Sequence, residues 1–136
     1  MNLTIVIPIY NSSNILEKLI LNIYKNLKKL NKKYEIILVN DASIDGSWLK
    51  ILKLQSKYKF IKSINLKYNI GQHGAIFVGL KFAKGSKIII MDDDLQHPPE
   101  YILDIYDKLD VYDSCYTSYV KRKHFFWKII ISKINT

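Results

Sequence analysis

Short apolar runs alternate along the chain with segments whose apolar residues recur every three or four positions. Residues 3–9 (LTIVIPI) and 34–40 (YEIILVN) are β-branched runs typical of buried strands, whereas the leucines and isoleucines of residues 16–30 fall at helical spacing. Asn14 and Glu17 stand at the spacing of a capping box for this helix. The pattern predicts strands at residues 3–9, 34–40, 60–66, 87–91 and 111–120, and helices over residues 16–30, 48–55, 71–84 and 98–109.

This alternation predicts one α/β domain, a doubly wound, mainly parallel sheet flanked by helices. A length of 136 residues is that of a single domain, and 49% hydrophobic with 24% charged residues excludes a disordered or collagen-like chain. The single cysteine, Cys115, excludes an internal disulfide, and we expect it to be a small buried filler in an apolar strand. No stretch approaches 18 consecutive apolar residues, so we expect neither a spanning helix nor a signal peptide.

The charge is positive and unevenly distributed. Lys and Arg number 21 against 12 Asp and Glu, giving +9 at pH 7, which is compatible with nucleic acid, an anionic membrane or a phosphorylated substrate as partner. Eight of the 12 acids lie between residues 92 and 113, whereas residues 121–136 hold five cations and no acid. Arg122 is the single arginine, so a stripe of base-reading arginines is missing and we expect no nucleic-acid binding.

Polar side chains follow three of the predicted strands, at residues 10–11, 40–41 and 92–94. In a parallel sheet these strand ends share one edge, and ligands bind beyond it. Carboxylates crowded there favour a divalent cation, and oxygen ligands select Mg²⁺ or Mn²⁺. Asp92 and Asp94 are two positions apart on an extended segment, so both can reach one ion. A D-x-D sequence is also common in surface turns, and the spacing alone leaves both interpretations open.

Four segments together carry a family resemblance: PIYN at residues 8–11, VNDASIDGS at 39–47, NIGQHGAIFVGLKFAKG at 69–85 and IIMDDDLQHPPE at 89–100. This set resembles the family 2 glycosyltransferases, whose nucleotide-sugar-binding domain has the Rossmann-like GT-A fold. It looks closest to members that load a sugar onto a polyprenyl phosphate, such as dolichyl-phosphate mannose synthase and bactoprenol glucosyltransferase. Their signature, D-x-D-L-Q-[DH]-P-P-E, is matched by residues 92–100.

The resemblance implies a metal site in the last of these segments. Asp92 and Asp94 would be the catalytic pair, holding a Mg²⁺ or Mn²⁺ ion that bridges the donor diphosphate. Gln96 would complete the metal site. Asp93 stands where the family has a small residue, and no role is predicted for it.

The resemblance also implies a nucleotide-sugar site, in which Pro8 and Tyr10 would form the wall of the base pocket. The residues of the whole nucleotide-sugar site would be Pro8, Tyr10, Asn11, Asp41, Asp45, Asn69, Gly71 and Asp92. Asp41 would accept hydrogen bonds from the base or ribose, with a structural turn aspartate as the alternative. Asp45 has the alternative of capping the second helix. Asn69 and Gly71 would bring backbone N–H groups to a phosphate, or simply begin the third helix.

The sequence departs from the family pattern at four points. An arginine that the family has after the fifth strand, for phosphate contact, is replaced near Tyr119, and Lys121, Arg122 or Lys123 would have to substitute for it. Ser12 and Ser13 stand where the family has an acidic residue after PxYN. Ala42 replaces a glycine, so its turn must avoid a positive φ or bear strain. Family members also continue well beyond this length, so the chain is short relative to them.

The resemblance implies transfer of a sugar from a UDP- or GDP-sugar donor to an acceptor, with inversion and a divalent metal. A polyprenyl phosphate is the expected acceptor because it is anionic at pH 7 and needs no general base. Residues 1–120 would form the donor-binding domain, and residues 121–136 a basic amphipathic tail against the inner face of the cytoplasmic membrane. The alternative is a non-catalytic nucleotide-sugar-binding fragment or partner subunit of a larger transferase.

Overall fold

The computed structural model describes residues 1–96 and 98–117, which form a four-stranded sheet with helices on both faces. The strands are β1 (Leu3–Ile9), β2 (Tyr34–Asn40), β3 (Ile61–Asn65) and β4 (Lys87–Ile90), all parallel in the order β3-β2-β1-β4. The helices are α1 (Leu16–Leu27), α2 (Ser47–Lys57), α3 (Gly71–Phe82) and α4 (Ile102–Lys108), with a 3₁₀ turn at Pro99–Tyr101 before α4. The predicted parallel α/β architecture is therefore confirmed.

The two faces of the sheet bury different amounts of apolar surface. The larger core lies under α1, α2 and α4, where alternate residues of β1 such as Ile5 and Ile7 pack against the apolar stripe of α1. On the opposite face Ile37 and Val39 of β2 pack against Ala75 of α3. The backbone of α3 approaches the sheet closely at Gly79, because a Cβ there would lie 2.4 Å from Val6 Cγ1.

Strand order reverses at β1, which has β2 and β3 on one side and β4 on the other. β1 pairs with β2 over its full length, from Leu3 to Ile9, whereas its pairing with β4 ends at Val6. The last three residues of β1 therefore continue without β4 beside them. A gap at a switch point of this kind is where doubly wound sheets bind ligands.

At the opposite edge of the sheet, Glu35 of β2 is a buried carboxylate that joins several elements. Its Oε2 lies 2.5 Å from Lys62 Nζ of β3, and its Oε1 accepts hydrogen bonds of 2.8 Å from Thr4 Oγ1 and the Lys84 N–H. Burial by itself would raise the pKa of Glu35, but these hydrogen bonds outweigh burial and lower it. The Gly85 N–H donates in turn to Thr4 Oγ1 at 2.8 Å, which extends the network to the start of β4.

The predicted fifth strand, over residues 111–120, is wrong where the structure describes it, because residues 111–117 form turns and irregular backbone. The N–H groups of Val111 and Tyr112 bond to the Lys108 carbonyl and extend the end of α4. Both side chains are exposed, so they bury no apolar surface. Cys115 is partly buried against the larger core but lies in no strand. Residues 118–120, His97 and the predicted tail at residues 121–136 lie outside the described residues.

The predicted capping box of α1 is also wrong. The helix N-cap is Ile15, and no side chain caps it. The chain turns earlier, because the N–H groups of Ile15 and Leu16 both bond to the Ser12 carbonyl. Asn14 lies inside this turn and is exposed, so it cannot take the cap position. In the part of the chain that the structure covers, no helix has the length and hydropathy needed to cross a bilayer.

Candidate functional site

An open cleft of about 400 Å³ lies at the carboxyl end of the sheet, where β1 runs past the end of β4. Its lining residues come from the ends of β1, β2 and β4 and from the start of α3: Pro8, Ile9, Tyr10, Asp41, Asn69, Gly71, Gln72, Asp92, Asp93 and Asp94. Seven of the ten predicted site residues are among them: Pro8, Tyr10, Asp41, Asn69, Gly71, Asp92 and Asp94. The predicted residues Asn11, Asp45 and Gln96 do not line the cleft.

Asp41 is held at the floor of this region by bonds to two other segments. Its N–H donates to the Ile9 carbonyl at 2.8 Å, which places it directly beyond the end of β2. Its Oδ1 accepts the Ile70 N–H at 2.8 Å, so the carboxylate fixes the entry to α3. The side chain is buried, with 3% of its surface exposed. Asp41 thus orients the segment that carries Asn69 and Gly71, in agreement with the structural alternative given above.

Asn11 and Asp45 tie the loop after β1 to the loop after β2. Asn11 donates its N–H to Ser43 Oγ at 3.0 Å and accepts the Ile44 N–H on Oδ1 at 2.9 Å. Asp45 accepts the Ser13 N–H on Oδ2 at 2.9 Å. Because these oxygens already accept backbone hydrogen bonds, both side chains build the rim of the cleft rather than its lining.

Asp45 also bonds to the first residue of α2, although the N-cap position predicted for it as an alternative is taken by Gly46. Its Oδ1 accepts the Ser47 N–H at 3.0 Å and the Ser47 hydroxyl at 2.6 Å. Burial opposes ionisation, but the hydrogen bonds from Ser47 and from the Ser13 N–H together outweigh it and lower the pKa of Asp45 to about 2.

The three consecutive aspartates after β4 reach three different partners. Asp92 Oδ1 accepts from Gln72 Nε2 of α3 at 2.5 Å. Asp93 Oδ2 accepts from the Ser12 hydroxyl and, at 3.3 Å, from the Tyr10 N–H, both in the loop after β1. Asp94 Oδ1 accepts the N–H of Gln96 in its own loop at 2.9 Å. Asp92 thus reaches α3 and Asp93 reaches the loop after β1, while all three aspartates line the cleft.

Three lining residues, Ile9, Gln72 and Asp93, are not among the residues predicted from the sequence. Gln72 follows the predicted site residue Gly71 in the first turn of α3, and this adjacency could have indicated that Gln72 also reaches the cleft. No role is predicted for Asp93, yet it lines the cleft and its carboxylate accepts hydrogen bonds from the loop after β1. Burial raises the pKa of Asp93, and the hydrogen bonds from Ser12 and the Tyr10 N–H offset this effect only in part.

The donor set of the cleft fits a hard divalent cation. Asp92 and Asp94 both line it, and both offer carboxylate oxygens. Among residues 1–96 and 98–117 no three His, Cys, Asp or Glu side chains converge closely enough to form a complete protein metal site. Mg²⁺ is bound in proteins by one or two carboxylates plus water and substrate phosphates, so two carboxylates in an open cleft suit it. Gln96 contributes its N–H to Asp94, and its side chain does not line the cleft.

Three non-glycine residues beside the cleft have a positive φ: Asn11, at +53°, is of a type that tolerates this conformation, whereas Ala42 and Leu95 are strained. Ala42 has a φ of +53° and Leu95 a φ of +61°, both in the left-handed region that disfavours residues with a Cβ. Of the two outcomes predicted for Ala42, the turn after β2 therefore takes the strained one. Both residues are next to aspartates that line the cleft, Asp41 and Asp94.

Comparison with known proteins points to one family. The model of the family described as "Glycosyl transferase family 2" matches residues 4–133. An uncharacterized glycosyltransferase of Synechocystis sp. is 37% identical over 126 residues, which cover 92% of this chain. The match covers 40% of that relative, so this chain spans less than half of its length.

Solved structures show the same fold. Staphylococcus aureus TarS, residues 1–349, has a TM-score of 0.64 at 24% identity, covering 84% of this chain and 34% of TarS. The mannosyltransferase PcManGT of Pyrobaculum calidifontis, solved with GDP-Man and Mn²⁺, has a TM-score of 0.65 at 22% identity, covering 75% and 30% of the two chains. TarS has also been solved with UDP and with UDP-GlcNAc. These neighbours have the GT-A fold, so the predicted fold class is confirmed.

Proposed function

The chain belongs to glycosyl transferase family 2, and from this membership we propose that its cleft binds a nucleotide-sugar donor and a divalent cation for transfer of the sugar to an acceptor. The observation that carries the proposal is the convergence of Tyr10, Asp41, Asp92 and Asp94, from three separate strand ends, on one cleft. The structural neighbours bind GDP-Man, UDP and UDP-GlcNAc, which supports a nucleotide-sugar as the ligand class.

The nucleoside end of the donor is assigned to the side of the cleft formed by β1 and β2. Pro8 and Tyr10 line this side, and Tyr10 exposes 52% of its surface, so its ring is accessible for contact with a base. Asp41 lies next to them and keeps the segment of Asn69 and Gly71 in place. The start of α3 then faces the cleft, and a helix N-terminus favours the negative charge of a phosphate.

The metal is assigned to Asp92 and Asp94; Gln96, the third ligand that the resemblance implies, does not line the cleft and is left out of this assignment. When bound, the cation would offset the negative charge that develops on the departing diphosphate. Asp92 is positioned by Gln72 and Asp94 by the N–H of its own loop, so both carboxylates have a defined place before any ligand arrives. The Mn²⁺ present with PcManGT supports the choice of metal.

The acceptor is proposed to be a polyprenyl phosphate, and the reaction to proceed with inversion. A phosphate acceptor is already anionic at pH 7, so this cleft does not have to supply a general base for it. Residues 121–136, which are basic and rich in aromatic residues, would bring the domain to the inner face of the cytoplasmic membrane, where such an acceptor lies.

Thermal unfolding with a panel of UDP- and GDP-sugars, each with and without Mn²⁺, tests donor binding. At a donor concentration of about 100 Kd, one donor with Mn²⁺ is expected to raise Tm by roughly 5–10 °C. Asp94→Ala should abolish the part of the shift that needs Mn²⁺. Asp107→Ala removes an exposed carboxylate of α4 outside the cleft and should leave the shift unchanged. If no donor stabilises the wild-type chain, the proposal is wrong.

The alternative is a non-catalytic nucleotide-sugar-binding fragment or subunit, and the coverage of only 40% of the Synechocystis relative favours keeping it. Release of UDP or GDP from the bound donor in the presence of a short polyprenyl phosphate separates the two functions. Transfer that stops on chelation and in Asp94→Ala supports the enzyme, and metal-dependent binding without turnover supports the binding subunit.

A further inference from the structure

Beyond residue 91 the two sides of the cleft diverge, and Asp93 joins them. The last backbone hydrogen bond of the β1–β4 ladder runs from the Met91 N–H to the Val6 carbonyl at 3.0 Å. Past that point β1 pairs with β2 but no longer with the chain that follows β4. Asp93 Oδ2 spans this opening by accepting from the Tyr10 N–H and the Ser12 hydroxyl.

The hydrogen bonds of Asp93 connect the two functional sides of the site. Tyr10 belongs to the side assigned to the base, and Asp92 and Asp94 belong to the side assigned to the metal. Asp93 is the residue between Asp92 and Asp94 in the chain. Hydrogen bonds that fix its side chain to the loop after β1 therefore also limit where the two neighbouring carboxylates can lie. We propose that Asp93 is a positioning residue that holds the metal-binding carboxylates at a fixed distance from the nucleotide-binding loop; this inference rests on the function proposed above.

The contacts on both faces of the segment after β4 show why Asp93 alone can fix the position of its neighbours. Ile89 and Met91 point into the core under α1, and Asp93 continues their face to reach Ser12 just before α1. Asp92 lies on the other face and reaches Gln72 of α3. The loop after β4 is thereby braced from both faces of the sheet, once through Asp92 and once through Asp93.

The chemistry of Asp93 points to positioning rather than to stability of the fold. A carboxylate removed from water is costly unless a cation or several donors compensate it. The buried Glu35 has Lys62 beside it, whereas no lysine or arginine pairs with Asp93 among residues 1–96 and 98–117. The β1–β4 ladder joins the two strands without its help. Asp93 therefore adds less to stability than Glu35 does, while it determines the geometry of the cleft.

Calorimetry with UDP and with GDP, each with and without Mn²⁺, tests the inference on folded protein. Positioning predicts energetic coupling: Mn²⁺ tightens nucleotide binding in the wild type, and Asp93→Ala reduces this enhancement by about tenfold. Uridine or guanosine, which lack the diphosphate, should bind Asp93→Ala and wild type equally. A residue that only supported folding would change both kinds of ligand alike.

Four further variants keep the result interpretable. Asp93→Asn retains an oxygen that accepts the same two hydrogen bonds, so it should restore the enhancement to within about threefold. Ser12→Ala removes one donor and should weaken the enhancement less than Asp93→Ala, and the double variant should be no weaker than Asp93→Ala because the two act through one contact. Asp107→Ala serves as the unaffected control.

The outcomes separate this inference from the function on which it rests. If wild type binds neither UDP nor GDP with Mn²⁺, both are wrong. If wild type shows the enhancement and Asp93→Ala or Ser12→Ala keeps it in full, donor binding stands and the positioning role is overturned. The positioning role is also overturned if Asp93→Asn is as impaired as Asp93→Ala.

Discussion

Ala42 carries a strained backbone conformation in the turn that follows β2. Its φ of +53° costs a residue with a Cβ about 1–2 kcal/mol, and glycine avoids that cost. Glycine also has more conformational freedom to lose on folding, worth about 0.4–1 kcal/mol. We therefore expect Ala42→Gly to raise the free energy of unfolding by about 0.5–1 kcal/mol, measured by urea denaturation.

The control for this change is Ala83→Gly, at the end of α3. Ala83 has an ordinary φ of −65° and packs against the smaller core, so glycine relieves nothing there. That variant should lose about 1 kcal/mol through chain entropy and lost contact. A loss of similar size at both positions would contradict the strain assigned to Ala42.

At the scale of single residues, the sequence predicts where a side chain lies in the fold better than it predicts which group that side chain bonds to. Asp92 and Asp94 could be placed on one side of a segment because alternation is local. Asp93 could not be given its partner, since Ser12 is 81 positions away and no short-range pattern connects the two. Asn11 and Asp45 were assigned to the nucleotide because they stand in matched segments, yet their oxygens accept hydrogen bonds from neighbouring loops.

The backbone of α3 approaches the sheet closely, and the two internal glycines of this helix differ in what surrounds them. A Cβ at Gly79 would lie 2.4 Å from Val6 Cγ1 and 3.1 Å from Val39 Cγ2, both buried in the sheet. Gly79→Ala should gain up to about 1 kcal/mol of helix propensity but lose more through overpacking, for a net destabilisation of roughly 1–2 kcal/mol. Thermal and urea unfolding measure the difference.

Gly74 provides a matched control on the same helix. A Cβ there would meet only the Ile70 side chain, 2.8 Å away, and Ile70 is half-exposed and able to move. Gly74→Ala should therefore be neutral or stabilising by up to about 1 kcal/mol. If Gly79→Ala is as well tolerated as Gly74→Ala, then α3 does not depend on close packing against β1 and β2.

Elements were predicted well where the pattern was uninterrupted. The bounds of β1 and β2 match the prediction to the residue, because both are continuous apolar runs that end at polar turns. The apolar segment after α4 was mistaken for a strand because its hydrophobic residues are separated by Asp113 and Ser114, a pattern that does not distinguish a strand from an exposed loop. The capping box predicted at Asn14 was wrong for a related reason. The same residue spacing also occurs where the chain makes a turn just before the helix, as it does here around Asn14.

At the scale of the whole molecule, the sequence predicts where the cleft lies but not how it is held together. Parallel strands must end at one edge, which is why polar residues from three separate segments could be expected to meet there. The hydrogen bonds that give the cleft its form join loops far apart in the sequence, such as Ile70 to Asp41 and Tyr10 to Asp93. These bonds depend on how far each strand extends toward the cleft. The pairing of β1 with β4 ends at Val6, three residues before β1 itself ends.

The opposite edge of the sheet couples the stability of the whole fold to pH through Glu35. The pKa of Glu35 is lowered in the folded protein from its usual value of 4.5, so folding favours its charged form. The stabilisation is therefore fully present above about pH 4.5 and is lost as the pH falls through the lowered folded-state pKa. Because Glu35 connects β1, β2, β3 and the approach to β4, this loss acts on the entire sheet.

We expect Glu35→Gln to be less stable than wild type by about 2 kcal/mol at pH 7, since glutamine keeps an acceptor for Thr4 and the Lys84 N–H but loses the charge that faces Lys62. The difference should shrink as the pH falls below about 4.5 and through the lowered folded-state pKa, because the carboxylate is then neutralised first in the unfolded and finally in the folded wild type. Urea unfolding at pH 7, 5, 4 and 3 measures it. Glu17→Gln, an exposed change in the first turn of α1, should differ little from wild type across this range. A stability gap for Glu35→Gln that stays constant from pH 7 to pH 3 would show that the charge of Glu35 does not stabilise the sheet.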